Sequence, residues 1–271
     1  MRIKIATDRM KKIQFTLFIF TLICSSLVHS QQLAGGLTEA DKSALENIIV
    51  EKYYVADSTD YADTVGGSLP KGSITYRIYV DMKPDYTLQL VYGNAKHELR
   101  IETSTSFFNN EECGAIVGYN VNYKKINQGS YALDSWITLN SATDRHAGIL
   151  RADDTDGSII HKKGLDQADG LTNGNLPVFK PFNIDLMFFK WGKKSSLFST
   201  KNGGWAAISG TKGGTKGPTA DNRVLIAKLT TNGTLSFELN IQMGTPGGGI
   251  LQYVAKNPEG SELTSAALTL K

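Results

Sequence analysis

Cysteine is nearly absent from this chain. Its 271 residues hold two, Cys24 and Cys113, and Cys24 falls in a leader-like segment. The remainder therefore has no partner for an intrachain disulfide. An exported domain of this kind draws its stability from its core or from bound ions. Long apolar runs are missing as well. The longest, Phe15 to Val28, covers about 14 residues, short of the ~20 that a membrane span needs. Three histidines follow the leader, His97, His146 and His161, and none is spaced with another as a metal pair. Gly-x-Ser-x-Gly, His-Glu-x-x-His and phosphate-loop motifs are all lacking. No segment recurs at a fixed period, which excludes solenoids and propellers.

Charge of one sign does not accumulate either. The whole chain carries +3, but residues 1–30 hold five basic side chains and one acidic one, so the remainder carries −1. The basic balance belongs to the leader, and nucleic acid is not an expected partner. Lys11-Lys12 before the apolar run, and Val28-His29-Ser30 ahead of Gln31, mark a cleaved export signal over residues 1–30. Met10-Lys11-Lys12 opens such a signal better than Met1 does. The expected organisation is a signal peptide (1–30), a linker or short helix (31–47) and a β-sandwich domain (48–271). The expected location is extracellular or periplasmic. Within the linker, Thr38-Glu39-Ala40-Asp41 has the form of a capped helix start.

What is present is alternation. Leu235, Phe237, Leu239 and Ile241 interleave with Ser236, Glu238, Asn240 and Gln242, the period of a strand with one buried face. A second run, Arg223–Leu229, precedes it, and Asn232-Gly233 lies between. The pattern predicts a hairpin. A two-residue loop would set Lys228 opposite Phe237 on the buried face. A three-residue loop with Gly233 left-handed sets Leu225, Ala227 and Leu229 opposite Leu239, Phe237 and Leu235, and avoids burying an ammonium. Further strands are expected over 48–55, 74–80, 86–90 and 97–102, joined as an antiparallel meander by turns at 82–85 and 93–96. Leu133–Leu139 reads as a strand with Trp136 in the core. Trp136, Ile78, Leu99, Ile101, Phe237 and Leu239 are the expected core. The fold class is all-β, an antiparallel, jelly-roll-like β-sandwich with long loops.

The residues Thr75–Asp81, Val91–Asn94, Thr105–Glu111, Leu133–Trp136 and Asn222–Gly233 stand in an order that resembles an exported β-rich module. That module occurs in multidomain proteins of Bacteroidetes and some marine bacteria. The likeness spans roughly residues 48–270. It implies an extracellular or periplasmic location, and relatives that often carry a sorting domain for type nine secretion. It implies no catalytic residues. Such a sorting domain is not among these residues, which keeps a periplasmic location open beside a surface one.

Residues 140–177 form a polar stretch too long for an ordinary connection, a length that goes with function or disorder. Asp153-Asp154-Thr155-Asp156-Gly157-Ser158 places carboxylates near a glycine as part of a calcium loop would. It fails as an EF-hand, with Ala152 and Lys163 at the first and twelfth positions, so Asp153, Asp154 and Asp156 are candidates for a non-EF-hand calcium site. The alternative is a solvated acidic turn. Glu111-Glu112 and Asp153-Asp154 are the acidic pairs that a glycosidase reading would use. Trp191 and Trp205, in Gly- and Lys-rich surroundings, are candidate sugar platforms, with outward tyrosines among Tyr53, Tyr54, Tyr76, Tyr79 and Tyr92. Gly210–Gly217 reads as a flexible loop, and Cys113 as an inert residue near a loop. The expected function is non-catalytic binding or adhesion at the cell envelope, the partner an envelope protein or a polysaccharide. A polysaccharide-active enzyme or carbohydrate-binding module is the alternative, and a structural envelope subunit a further one.

Overall fold

The computed structural model describes residues 37–271 except 64, 175, 191, 209–213 and the side chain of Met187. The export signal (1–30), the first part of the linker and four residues of the Gly210–Gly217 run lie outside the described residues. Thr38 caps a single helical turn, α1 (Glu39–Lys42), in the expected capping box with Asp41. A second turn, α2 (Ser58–Ala62), is capped the same way by Asp57 and Asp60. Strands β1 (Leu45–Val55), β2 (Ile74–Met82), β3 (Thr87–Gly93) and β4 (Leu99–Thr103) come first, close to the expected bounds. Short strands β5 (Trp136–Ile137), β6 (Ala147–Gly148) and β7 (Leu171–Thr172) punctuate the polar middle. Then come β8 (Phe179–Phe182), β9 (Leu197–Thr200), β10 (Gly203–Ala207), β11 (Arg223–Thr231), β12 (Leu235–Glu238), β13 (Ile241–Gly244), β14 (Ile250–Val254), β15 (Leu263–Thr264) and β16 (Thr269–Leu270).

The meander does not form. Strand β2 pairs with β1 and β11, β3 with β13 and β10, and β4 with β12 and β9. The central sheet runs β1-β2-β11-β5, a second β15-β14-β13-β3-β10-β8, and a third β16-β12-β4-β9. The second and third are two arms of one bend. Residues 235–244 lie antiparallel first to β4 and then to β3, with Glu238↔Arg100 and Ile241↔Val91 on either side of the break. Residues 197–207 repeat the pattern on the other side, with Thr200↔Leu99 and Gly203↔Gly93. The stretch 93–98 is therefore an excursion within one long strand and not a hairpin turn. Asn240 holds the corner: its buried amide donates to Tyr92 O (3.1 Å), His97 O (3.2 Å) and Glu98 O (3.2 Å) and accepts from Ala255 N.

The expected hairpin is absent for the same reason. β11 belongs to the central sheet and β12 to the third, so Thr231–Thr234 is a corner between sheets. Gly233 is not at positive φ. Lys228 is buried after all, 3% exposed, because β11 is covered on both faces. A bulge at Ile226 lets Ile226 and Ala227 face the same core.

That two-sided burial organises the molecule. On one face Ile48, Ile78, Val80, Val224 and Leu229 meet Leu99, Ile101, Trp205, Phe237, Leu239 and Ile241 from the bent sheet. This is a sandwich core. On the other face Tyr53, Tyr79, Trp136 and Leu225 meet Val121, Ile126, Leu133, Ile160, Leu165 and Leu171. The covering layer is the stretch from about 113 to 172, mostly turns and single 3-10 turns. All six expected core residues are buried, none above 3% exposed. Residues 140–177 thus contribute to a packed third layer through 140–143, 147–149, 160, 165 and 169–171, with Asn140, Ser141 and Thr143 fully buried. Residues 155–157, 163–164, 166–167 and 173–174 are exposed.

Candidate functional site

Irregular backbone brings its own unpaired N–H and C=O groups, and in a buried layer each needs a partner. The central sheet supplies them from side chains. Tyr53 Oη donates to Asp169 O (2.7 Å), Tyr79 Oη to Ile149 O (2.8 Å), and the Arg77 guanidinium to Gly170 O (2.8 Å). Burial pushes the Tyr53 hydroxyl up to about 12 and raises Tyr79 as well, so both remain donors. Gly170 sits at φ +63°, and a Cβ there would lie 2.5 Å from the Arg77 nitrogen. Asp169 in turn accepts from the amides of Ile159, Ile160 and Leu171. Lys228 donates to Ala132 O (2.6 Å) over the Trp136 ring, while Asp134 accepts from Asn110 N and Ala115 N. Burial pushes the Asp134 carboxyl up and the Lys228 ammonium down. These groups are enclosed and committed to the fold.

The sequence-selected carboxylates belong to the same scaffolding. Asp153 pairs with Arg223 of β11 (2.8 Å), Asp154 accepts from Gly170 N (2.7 Å), and Asp156 accepts from Thr172 Oγ1 (3.1 Å). Each points to a different protein donor. Among the described residues no group of three or more His, Cys, Asp or Glu side chains converges as a metal site. Trp205 is a correction: it is fully buried in the sandwich core, its indole N–H donating to Thr138 O (3.0 Å), and its ring offers no open face. Its place on β10 between β3 and β8 forces this. Trp191 lies outside the described residues. Tyr53, Tyr54, Tyr79 and Tyr92 are buried too, which removes the outward tyrosine platform, while Tyr76 is half-buried. His97 is enclosed against Glu262 (2.9 Å), and burial raises the half-buried Cys113 thiol.

Accessible polar chemistry gathers instead at one end of the sandwich, where the chain passes between sheets. A cleft of about 340 Å³ opens there, lined by residues 68–70, Ser73, 106–109, Glu111, 192–194, Thr231 and Asn232. The corner after β11 forms one side, tied to the segment after β4: Phe108 N donates to Thr230 O and Thr105 Oγ1 to Asn232 Oδ1. The turn at Gly66, φ +81°, packs a backbone without Cβ against Asn110 Nδ2 and brings Ser68 to the rim. Asn109 is the inner clamp. Its amide donates to Phe188 O (3.1 Å) and Lys193 O (2.7 Å), fixing the wall that carries Lys193 and Lys194. Asn109 is 4% exposed, and its Oδ1 has no hydrogen-bond partner. Leu69, Pro70 and Phe108 supply an apolar portion of the lining.

Two further depressions among the described residues are shallower. One of about 440 Å³ lies on the outer face of β4, β12 and β16 among Arg100, Glu102, Glu238 and Lys271. Arg100 pairs with Glu102 (2.9 Å) within it, and Glu238 pairs with Lys256 outside the lining (2.7 Å). The other, about 320 Å³, lies beside Tyr54, Arg151 and Lys163. Of the acidic pairs singled out in the sequence, Glu111 alone lines the cleft. Asn109, Lys193 and Lys194 were passed over, because nothing in their local spacing distinguishes them from a surface loop. Comparisons with family models, with curated proteins and with solved structures each gave no match.

Proposed function

We propose that this chain is a non-catalytic, exported β-sandwich that binds a polysaccharide or an envelope protein through the cleft at the Asn232 end of the molecule. The observation that carries the reading is the cleft itself. Among the described residues it brings the exposed Lys193, Lys194 and Glu111 and an apolar portion from Pro70 and Phe108 to one opening, over the enclosed Asn109 amide. Loops held by a rigid scaffold are the usual seat of recognition, and here the Asn109 clamp supplies that rigidity. The leader over residues 1–30 supports export. No helix among the described residues is long and apolar enough to cross a membrane.

The binding reading is favoured over glycoside hydrolysis by the lining. Two-carboxylate hydrolysis sets a pair of acids about 5–9.5 Å apart, and among the described residues the cleft is lined by one carboxylate, Glu111. The test is a glycan array and a pull-down from envelope extracts with the purified exported chain, run beside Asn109→Leu and Lys194→Glu variants of matched melting temperature. Retention on glycans or envelope proteins that both variants abolish supports the cleft. Retention unchanged in both variants places binding elsewhere. Sugar release from a retained polysaccharide would replace the binding reading with an enzymatic one.

A further inference from the structure

Three chemistries meet in the cleft, and together they narrow its ligand. The first is cationic. Lys193 and Lys194 are exposed on one wall, and neither forms an ion pair among the described residues. Against them, among the described residues, stands one carboxylate, Glu111, so the described lining carries a net charge of +1. The second is an acceptor in need of a proton. Both hydrogen bonds given by the Asn109 amide go to backbone carbonyls, which fixes its orientation and leaves Oδ1 without a donor. A buried acceptor without a donor is costly, and because Oδ1 is closed to solvent a hydroxyl group from the cleft satisfies it only as the wall yields to admit one. The third is the apolar portion from Leu69, Pro70 and Phe108 beside the Ser68 and Ser106 hydroxyls. Such a surface suits the C–H face of a ring whose edge bears hydroxyls.

A simple anion such as phosphate would use the lysines but leave the apolar portion of the lining uncovered. A neutral sugar would use the acceptor and the apolar wall but leave two ammoniums unused. Resting on the binding function proposed above, we infer that the cleft takes an acidic saccharide unit, a sugar ring bearing a carboxylate or a sulfate ester. Its anionic group meets Lys193 and Lys194, and a ring hydroxyl donates toward Asn109. A volume of about 340 Å³ is at the small end of ligand clefts, ~300–1,000 Å³, which fits one or two rings of a chain that continues into solvent. Lysine is a compact point charge that does not select a planar over a tetrahedral anion, so both acid types belong to the class.

The test titrates the exported chain with tetragalacturonate, its methyl ester, a sulfated chondroitin disaccharide and inorganic phosphate. It follows calorimetric heats and the NMR shifts of the Asn109 side-chain amide and the Ser68 and Lys194 backbone amides. The expected result is binding of at least one acidic saccharide with shifts at these positions, weakened about tenfold or more by esterification and by added salt. Which acidic probe binds tells carboxylate from sulfate. Lys193→Gln with Lys194→Gln, both on the surface, should lower that affinity about tenfold at unchanged melting temperature. Equal binding of tetragalacturonate and its ester overturns the inference. So does phosphate binding as tightly as the saccharides, or the absence of cleft shifts with every acidic probe. A neutral glycan or an envelope protein captured through the cleft would leave the binding function standing and remove only the acidic ligand.

Discussion

The two faces of the central sheet are covered by different means. Along β2, Ile78 and Val80 enter the sandwich core, while Arg77 and Tyr79 enter the opposite layer. On the sandwich side the partner is another sheet, whose backbone groups are already paired in ladders. Hydrocarbon is enough there, and it contributes roughly 25 cal/mol for each Å² removed from water. On the other side the partner is irregular chain, and hydrocarbon alone would strand its carbonyls. The sheet therefore sends hydroxyls and a guanidinium into the interior, with Arg77 3.7 Å above the Tyr53 ring. The same solution leaves Arg77 Nε and Glu51 Oε2 buried without partners. A sheet can thus cover one face cheaply, but it covers a loop layer only by committing polar side chains to it.

Cutting one group on each face should separate the two. The largest effect is expected from Phe237→Ala, about 3–5 kcal/mol of global stability from the cavity it leaves, read by urea unfolding with the slope unchanged. A loss below about 1 kcal/mol would mean that the bent sheet does not close the core. Next is Arg77→Met, about 3 kcal/mol. It removes the donor from Gly170 O and the positive charge beside Glu51. Here the expected signature is early proteolysis between residues 113 and 172, ahead of global melting. Tyr79→Phe deletes a single donor at constant volume and should cost about 1 kcal/mol, measured the same way.

The smallest expected effect is electrostatic. Burial raises the Glu51 carboxyl above its ordinary 4.5, against the pull of Arg77 and of the Arg151 amide. Within that window the folded chain keeps a proton that the unfolded chain has lost, so this group's contribution falls as pH rises through it. Glu51→Gln keeps an acceptor for Arg151 N and has no such slope. Its melting temperature relative to the parent should therefore rise between about pH 4 and about pH 7. A constant difference across that range would mean that Glu51 is not desolvated.

The same contrast separates what was legible in the sequence from what was not. Strand positions and the apolar core were readable because alternation at 74–80, 97–102 and 235–241 reports which side chains avoid water. Pairing was not readable, since alternation is local and the partner is chosen by sheets that meet at Asn240 and at Gly93–Glu98. The Asn232-Gly233 pair signals a change of direction equally well in a hairpin or in a corner between sheets. The register argument failed on its premise that a lysine shuns the interior. Lys228 is accommodated by Ala132 O and the Trp136 ring, contributed by a segment nearly a hundred residues earlier. The length and polarity of 140–177 pointed to a functional or disordered loop because its buried partners, Tyr53, Arg77 and Tyr79, lie far away in sequence. The cleft was the least visible feature, assembled from four separate segments with no motif in any of them.

Amide hydrogen exchange on Arg77→Met tests the two-faced sheet most directly. Ile149 N bonds to Gly170 O, and Ile160 N and Leu171 N to the Asp169 carboxylate, all within the covering layer. Tyr92 N and Leu239 N bond to Asn240 O and Leu268 O in the bent sheet. The expected outcome is a large loss of protection at Ile149, Ile160 and Leu171, with Tyr92 and Leu239 exchanging as in the parent. Uniform loss at all five amides, or retained protection in the layer, would contradict the claim that polar side chains of the central sheet hold this layer in place.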